Sequence, residues 1–126
     1  MRRATYDAGA LIAAERNSLA MWRVHRRLLE RGLRPSVSAA VVAQVWRGGP
    51  QPLLSRLLDG CEILPLTTAV ARAAGAALAA SGSSDVVDAA VVVGAKAERR
   101  AIVTSDPGDL YRLAQSIGFD AVITVV

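Results

Sequence analysis

The stretch Ala101-Ile102-Val103-Thr104-Ser105-Asp106-Pro107-Gly108-Asp109-Leu110 decides how the rest of the chain is read. Ala101 to Thr104 reads as a short strand, and Asp-Pro-Gly-Asp then starts a helix that runs to Ser116. Gly118 ends that helix and Ala121 to Val125 is a last strand. A strand joined to the next by a helix is a βαβ unit, and its two strands lie parallel in one sheet.

The same alternation runs back to the N-terminus. Arg3 to Asp7 reads as a strand, Ala8 to Glu15 as a helix, and Ser18 to Arg31 as a second helix closed by Gly32. Pro35-Ser36-Val37 is a brief strand, and Ser38 caps a helix through Trp46. After the break at Gly48-Gly49-Pro50, Pro52 to Leu58 is a short helix and Glu62 to Leu66 a strand. Thr67 or Thr68 caps an alanine-rich helix to about Ala80, and Ser81-Gly82-Ser83-Ser84 turns into a helix from Asp85 to Arg99. The pattern predicts an α/β domain over residues 1–126: three layers, a mostly parallel central sheet, and helices on both faces.

Composition narrows the function classes. The chain has 126 residues, 52% hydrophobic and 21% charged, which suits one compact core and lies far from the composition of disordered chains. Its one cysteine, Cys61, has no partner for an internal disulfide, so a reducing cytoplasm is expected. Arg72 and Asp88 interrupt the longest apolar stretches, and no membrane span is expected. The net charge of +4 comes from arginine, since Lys96 is the only lysine. Guanidinium groups suit bidentate contact with phosphate, and the charge is compatible with a nucleic-acid partner.

Three aspartates occupy positions that carry chemistry. Parallel sheets bind ligands at the carboxyl ends of their strands. Asp7 ends the first strand and Asp106 follows the strand Ala101 to Thr104 by two residues, so both reach one rim if those strands are neighbours. Asp88 lies in Val86-Val87-Asp88-Ala89-Ala90-Val91-Val92-Val93, a helix apolar all round and expected to be buried on all sides. A buried carboxylate needs a proton, an ion pair or a cation, and no arginine or lysine lies within a turn of Asp88. Asp85, three residues earlier, shares its face. Clustered carboxylates without His or Cys suit Mg²⁺ or Mn²⁺ better than zinc. Such an ion promotes phosphodiester hydrolysis without a nucleophilic side chain. His25, the single histidine, sits among arginines and does not suggest acid–base catalysis.

These pieces resemble the PIN domain, and within it the VapC-like toxins of toxin–antitoxin pairs. The resemblance rests on Tyr6-Asp7-Ala8-Gly9-Ala10-Leu11-Ile12, on Asp88 to Ala95, and on Ile102 to Leu110, in that order and spacing. It implies a Mg²⁺-dependent endoribonuclease that cleaves RNA, forms homodimers, and is held inactive by an antitoxin segment across its site. Asp7, Asp88 and Asp106 match the family's first, third and fourth acidic positions, and Asp85 and Asp109 supplement them. The second position, usually Glu, is Gln44 here, which removes one negative charge and predicts weaker metal affinity.

Each residue also has a plainer reading. Asp7, Asp85 and Asp106 can serve as helix caps or first-turn acids, and Asp109 as a first-turn acid. Gln44 can be a hydrogen-bonded core amide. Thr104 and Ser105 can satisfy local backbone or orient a carboxylate or water. Arg23, Arg26, Arg27, Arg31 and Arg34 form either a solvated face or a contact with RNA phosphates. Beside the nuclease stand two other readings: a PIN-like module weakened at Gln44 that binds an antitoxin or RNA, and an aspartyl-phosphate receiver domain. The receiver is disfavoured because Lys96 precedes Asp106 in mid-helix.

Overall fold

The computed structural model describes residues 1–126. Five short strands form one sheet: β1 (Ala4–Tyr6), β2 (Ser36–Ser38), β3 (Glu62–Leu64), β4 (Ala101–Thr104) and β5 (Ile123–Val125), in the order β3-β2-β1-β4-β5. Every neighbouring pair is parallel, so the sheet is wholly rather than mostly parallel. Seven helices connect the strands: α1 (Ala8–Glu15), α2 (Leu19–Glu30), α3 (Ala39–Val45), α4 (Pro52–Asp59), α5 (Thr68–Ser81), α6 (Val86–Glu98) and α7 (Gly108–Ser116).

Helix α1 packs with α2, α3 and α4, and α6 packs with α5 and α7. Right-handed crossovers set these two groups on opposite faces of the sheet. The three layers close on a core that includes Tyr6, Leu11, Val37, Leu57, Val92 and Ile102. No single helix is long and apolar enough to cross a membrane; α5 and α6 pass that test only as a pair bent by 110°.

The strands are shorter than the sequence pattern predicts. Strand β3 stops at Leu64 because Pro65 has no N–H for the ladder. Strand β5 starts at Ile123, although the Val122 carbonyl already accepts from Ile102 N–H. The caps follow the sequence more closely: Ser18, Ser38, Thr67 and Asp85 each accept a backbone N–H at a helix start.

The chain leaves β1 toward β2 and re-enters beside β1 at β4, heading toward β5. Strand order therefore reverses between β1 and β4. A crevice opens at the carboxyl ends of strands on either side of such a reversal. Asp7 and Asp106 are the acids that follow these two strands.

Candidate functional site

Asp7 is buried, and both of its oxygens are engaged. Oδ1 accepts the Ala10 N–H at 2.8 Å, which caps α1, and Oδ2 accepts the Thr104 hydroxyl at 2.5 Å. Burial raises the Asp7 pKa above the usual carboxylate range; those hydrogen bonds oppose the rise and the charge of Asp106 adds to it. Thr104 is itself fully buried at the end of β4, and its Oγ1 also accepts the Asp106 N–H at 3.0 Å. One hydroxyl thus ties the first acid to the loop that carries the last.

Asp88 enters from α6. Its N–H donates to Asp85 Oδ1 at 3.0 Å, so Asp85 caps the helix that presents Asp88. Burial raises the Asp88 pKa to about 6, and the charges of Asp85, Asp7 and Asp109 add to it. Asp88 is only half-buried: Val86, two residues earlier, is 52% exposed, so the helix expected to be covered all round is open at its start. Asp106 raises the Asp7 pKa, and Asp85, Asp7 and Asp109 raise that of Asp88, so these carboxyls lie within electrostatic reach of one another at the same rim.

The plainer readings divide. Asp7 and Asp85 do cap helices, and caps are what hold them in place. Asp109 lies exposed in the first turn of α7, paired with Arg112 at 2.8 Å. Asp106 does not cap α7: Pro107 occupies the cap position and no side chain bonds the helix start there. That leaves the exposed Asp106 carboxylate without a local structural task. Gln44, on α3, is exposed and makes no side-chain hydrogen bond, so it is not a core amide. Ser105 is exposed beside Asp106.

Two features carried no role in the sequence. Gly9 lies beneath the β4–α7 loop: a Cβ there would meet Ser105 Oγ at 2.6 Å, Ser105 N at 3.2 Å and Asp7 Oδ1 at 3.3 Å. Glycine is what lets that loop close onto the start of α1. Its signal was the Asp-Ala-Gly spacing after β1. The other is Tyr6, whose hydroxyl bonds His25 Nδ1 at 2.9 Å inside the core. Burial raises the tyrosine pKa and lowers that of the histidine, so a neutral imidazole accepts from a protonated phenol. His25 borders a cleft of about 580 Å³ between α2 and α4, with Trp22, Leu29, Leu53 and Arg56, away from the acids.

The acid cluster fits a divalent cation by its donor chemistry. Asp7, Asp85, Asp88 and Asp106 form no ion pair, since the chain's two pairs are Arg112 with Asp109 and Arg100 with Glu62. Hard oxygen donors with uncompensated charge are what Mg²⁺ or Mn²⁺ requires. In this conformation no three of the carboxyls converge closely enough to grip one ion, so the cluster is an open one.

Over 98% of this chain and 98% of the other, the structure is similar to VapBC2 from Rickettsia felis, solved bound to a promoter DNA fragment, at a TM-score of 0.75 and 15% identity. The chain has the PIN-like α/β fold of that structure. The PIN fold recurs in PAE2754 from Pyrobaculum aerophilum, at a TM-score of 0.66 and 13% identity, over 97% of this chain and 83% of that one. It recurs also in FitAB bound to an IR36 DNA fragment, at 0.67 and 16%, over 97% and 94%. No family model and no curated protein matches the sequence, so the PIN likeness lies in the fold.

Proposed function

We propose that this chain is a Mg²⁺-dependent endoribonuclease, with Mn²⁺ as a substitute, and the toxin of a toxin–antitoxin pair. The observation that carries the proposal is Asp88, its carboxyl held at about 6 by burial and by neighbouring acids, with no cation of the protein paired to it. Asp7, Asp88 and Asp106 would hold the ion, with Asp85 alongside. A bound divalent cation supplies charge for the scissile phosphate and lowers the pKa of an attacking water.

The chain's own residues do the positioning. Thr104 fixes the Asp7 carboxylate and the Asp106 backbone together; Asp85 sets the first turn of α6, and Gly9 admits the Ser105 loop. In this reading Gln44, Thr104, Ser105 and Asp109 would orient waters. The proposal includes an antitoxin partner, which the likeness to VapBC2 and FitAB supports, together with a homodimer and a cytoplasmic setting.

The exposed, unbonded Gln44 favours a second reading, a module with weak or absent catalysis that binds an antitoxin or RNA. A cleavage assay on defined RNAs, with Mg²⁺ or with chelator, separates the two. Wild type should cut only with metal, Asp88→Asn should lose about 100-fold or more, beyond the roughly 10- to 100-fold that changes behind a metal's ligands cost, and Gln44→Glu should match or exceed wild type. Intact RNA at millimolar Mg²⁺ would sink the nuclease reading, and unchanged cleavage by Asp88→Asn would sink the site.

A further inference from the structure

Helix α2 is amphipathic, with Leu29 exposed among its charged residues. Met21, His25 and Leu28 are buried, while Arg23, Arg26, Arg27 and Arg31 are exposed. None of these four arginines makes a side-chain hydrogen bond, and none is among the chain's two ion pairs. Glu30 is the one acid on the exposed face, and it pairs with none of them. Arg23, Arg27 and Arg31 are spaced four residues apart, so their guanidiniums rise about 6 Å per step along one side of the helix. That step is comparable to the spacing of phosphates along an extended single strand.

The row does not stop with the helix. Arg34 is exposed and donates to the Cys61 carbonyl at 2.8 Å. The Arg34 carbonyl and the Ala4 carbonyl both accept from Arg100 Nη1, at 3.3 and 3.2 Å. Arg3 and Arg34 precede β1 and β2, at the amino-terminal edge of the sheet, opposite the acids. Asp7 lies one residue beyond Tyr6, which is level with Val37 on β2. Arg34 is therefore four residues below the level of Asp7, about 13 Å along the strand direction. A few nucleotides of one strand bridge that distance.

We infer that the row Arg23, Arg27, Arg31 and Arg34 is a docking surface for the phosphate backbone of single-stranded RNA, separate from the carboxylates that cut it. The inference names how the substrate of the proposed nuclease is held, and it rests on RNA being that substrate. Guanidiniums in a line, three of them without a protein partner, contact phosphates without reading bases, so the surface binds all RNA sequences alike.

The test is fluorescence anisotropy in chelator with the full chain and a labelled 20-nucleotide RNA of mixed sequence, over a range of salt. Replacing Arg23, Arg27 and Arg31 together with Gln should weaken binding about 10-fold or more and flatten the salt slope by about 2, or about 0.7 for each phosphate no longer neutralised. A second triple variant, Arg47→Gln with Arg56→Gln and Arg72→Gln, carries the same change in net charge and should stay within about 2-fold of wild type. All six side chains are exposed, and matching melting curves for the three proteins confirm intact folding. Equal losses in the two triples would overturn the inference, since net charge alone would then govern binding. So would equal binding of a 20-base-pair DNA through the same arginines, which makes the partner a duplex. If no RNA is cut in the metal assay but the arginine effect persists, the nuclease reading fails and the docking surface stands.

Discussion

At the scale of single residues, Asp88 carries the sharpest consequence. Its carboxyl titrates at about 6 in the folded chain against 3.8 for the ordinary group. A carboxyl whose pKa is raised by folding stabilises the fold while protonated, and that contribution is lost as pH rises through the folded value. Without metal, Asp88 should favour the fold below about pH 4 and cost stability progressively up to about pH 6; Asp7 acts in the same direction. Asp88→Asn, neutral at every pH, should gain on wild type by about 1 kcal/mol between pH 4 and 7, after solvent screening of a half-exposed group is allowed for. Urea unfolding of both proteins across that range in chelator measures the gain, and a difference independent of pH would contradict it. The sequence showed that Asp88 lacked a cation, because helical spacing is read directly from the chain. It did not show how open the start of α6 is, because an apolar side chain in the sequence does not say whether anything covers it. Gln44 misleads for the same reason, as its apolar neighbours suggest a burial that α3 does not provide.

At the scale of elements, the starts of helices were legible and the ends of strands were not. Ser18, Ser38 and Asp85 announce themselves because a cap is a local bond between a side chain and a nearby N–H. A strand's length depends on what its neighbour offers, which lies dozens of residues away. Helix α6 shows a third case. It closes on Arg99 in the left-handed conformation at φ +53°, whereas α5 closes on Gly82 at φ +72°. Nothing in the sequence marks Arg99 for that backbone, which side chains with a Cβ disfavour. Arg99→Gly should therefore raise stability by about 0.5 to 1 kcal/mol, the relief of the left-handed strain less the added freedom of the unfolded glycine. Thermal unfolding checks this, and a destabilised variant would show that the arginine side chain contributes more than its backbone costs.

At the scale of the whole molecule, charge is sorted along the strand direction. Carboxyls gather at one edge of the sheet, and an arginine row runs to the other. The acids repel one another until a cation is present, so metal should act on stability as well as on chemistry. Mg²⁺ at about 100 times its Kd should stabilise the fold by about 2.7 kcal/mol, a melting shift on the order of 10 °C for a domain this size. NaCl at equal ionic strength should give only a small part of that shift, and Asp88→Asn should lose it. Equal shifts from the two salts would mean general screening in place of a bound ion. The sequence made this edge legible only conditionally: acids placed after the first and fourth strands share a rim if those strands are neighbours, and the β1–β4 pairing supplies that adjacency.

The lone thiol gives the molecule an internal clock. Cys61 is 2% exposed, and burial pushes its pKa to about 12. At pH 8 it is both covered and un-ionised, so an alkylating reagent finds no nucleophile until the chain around β3 opens. Its labelling rate then reports the frequency of that opening, with no probe added and no residue changed. Metal, RNA or a partner that tightens the fold would each slow the clock, and by how much is read from a single sulfur.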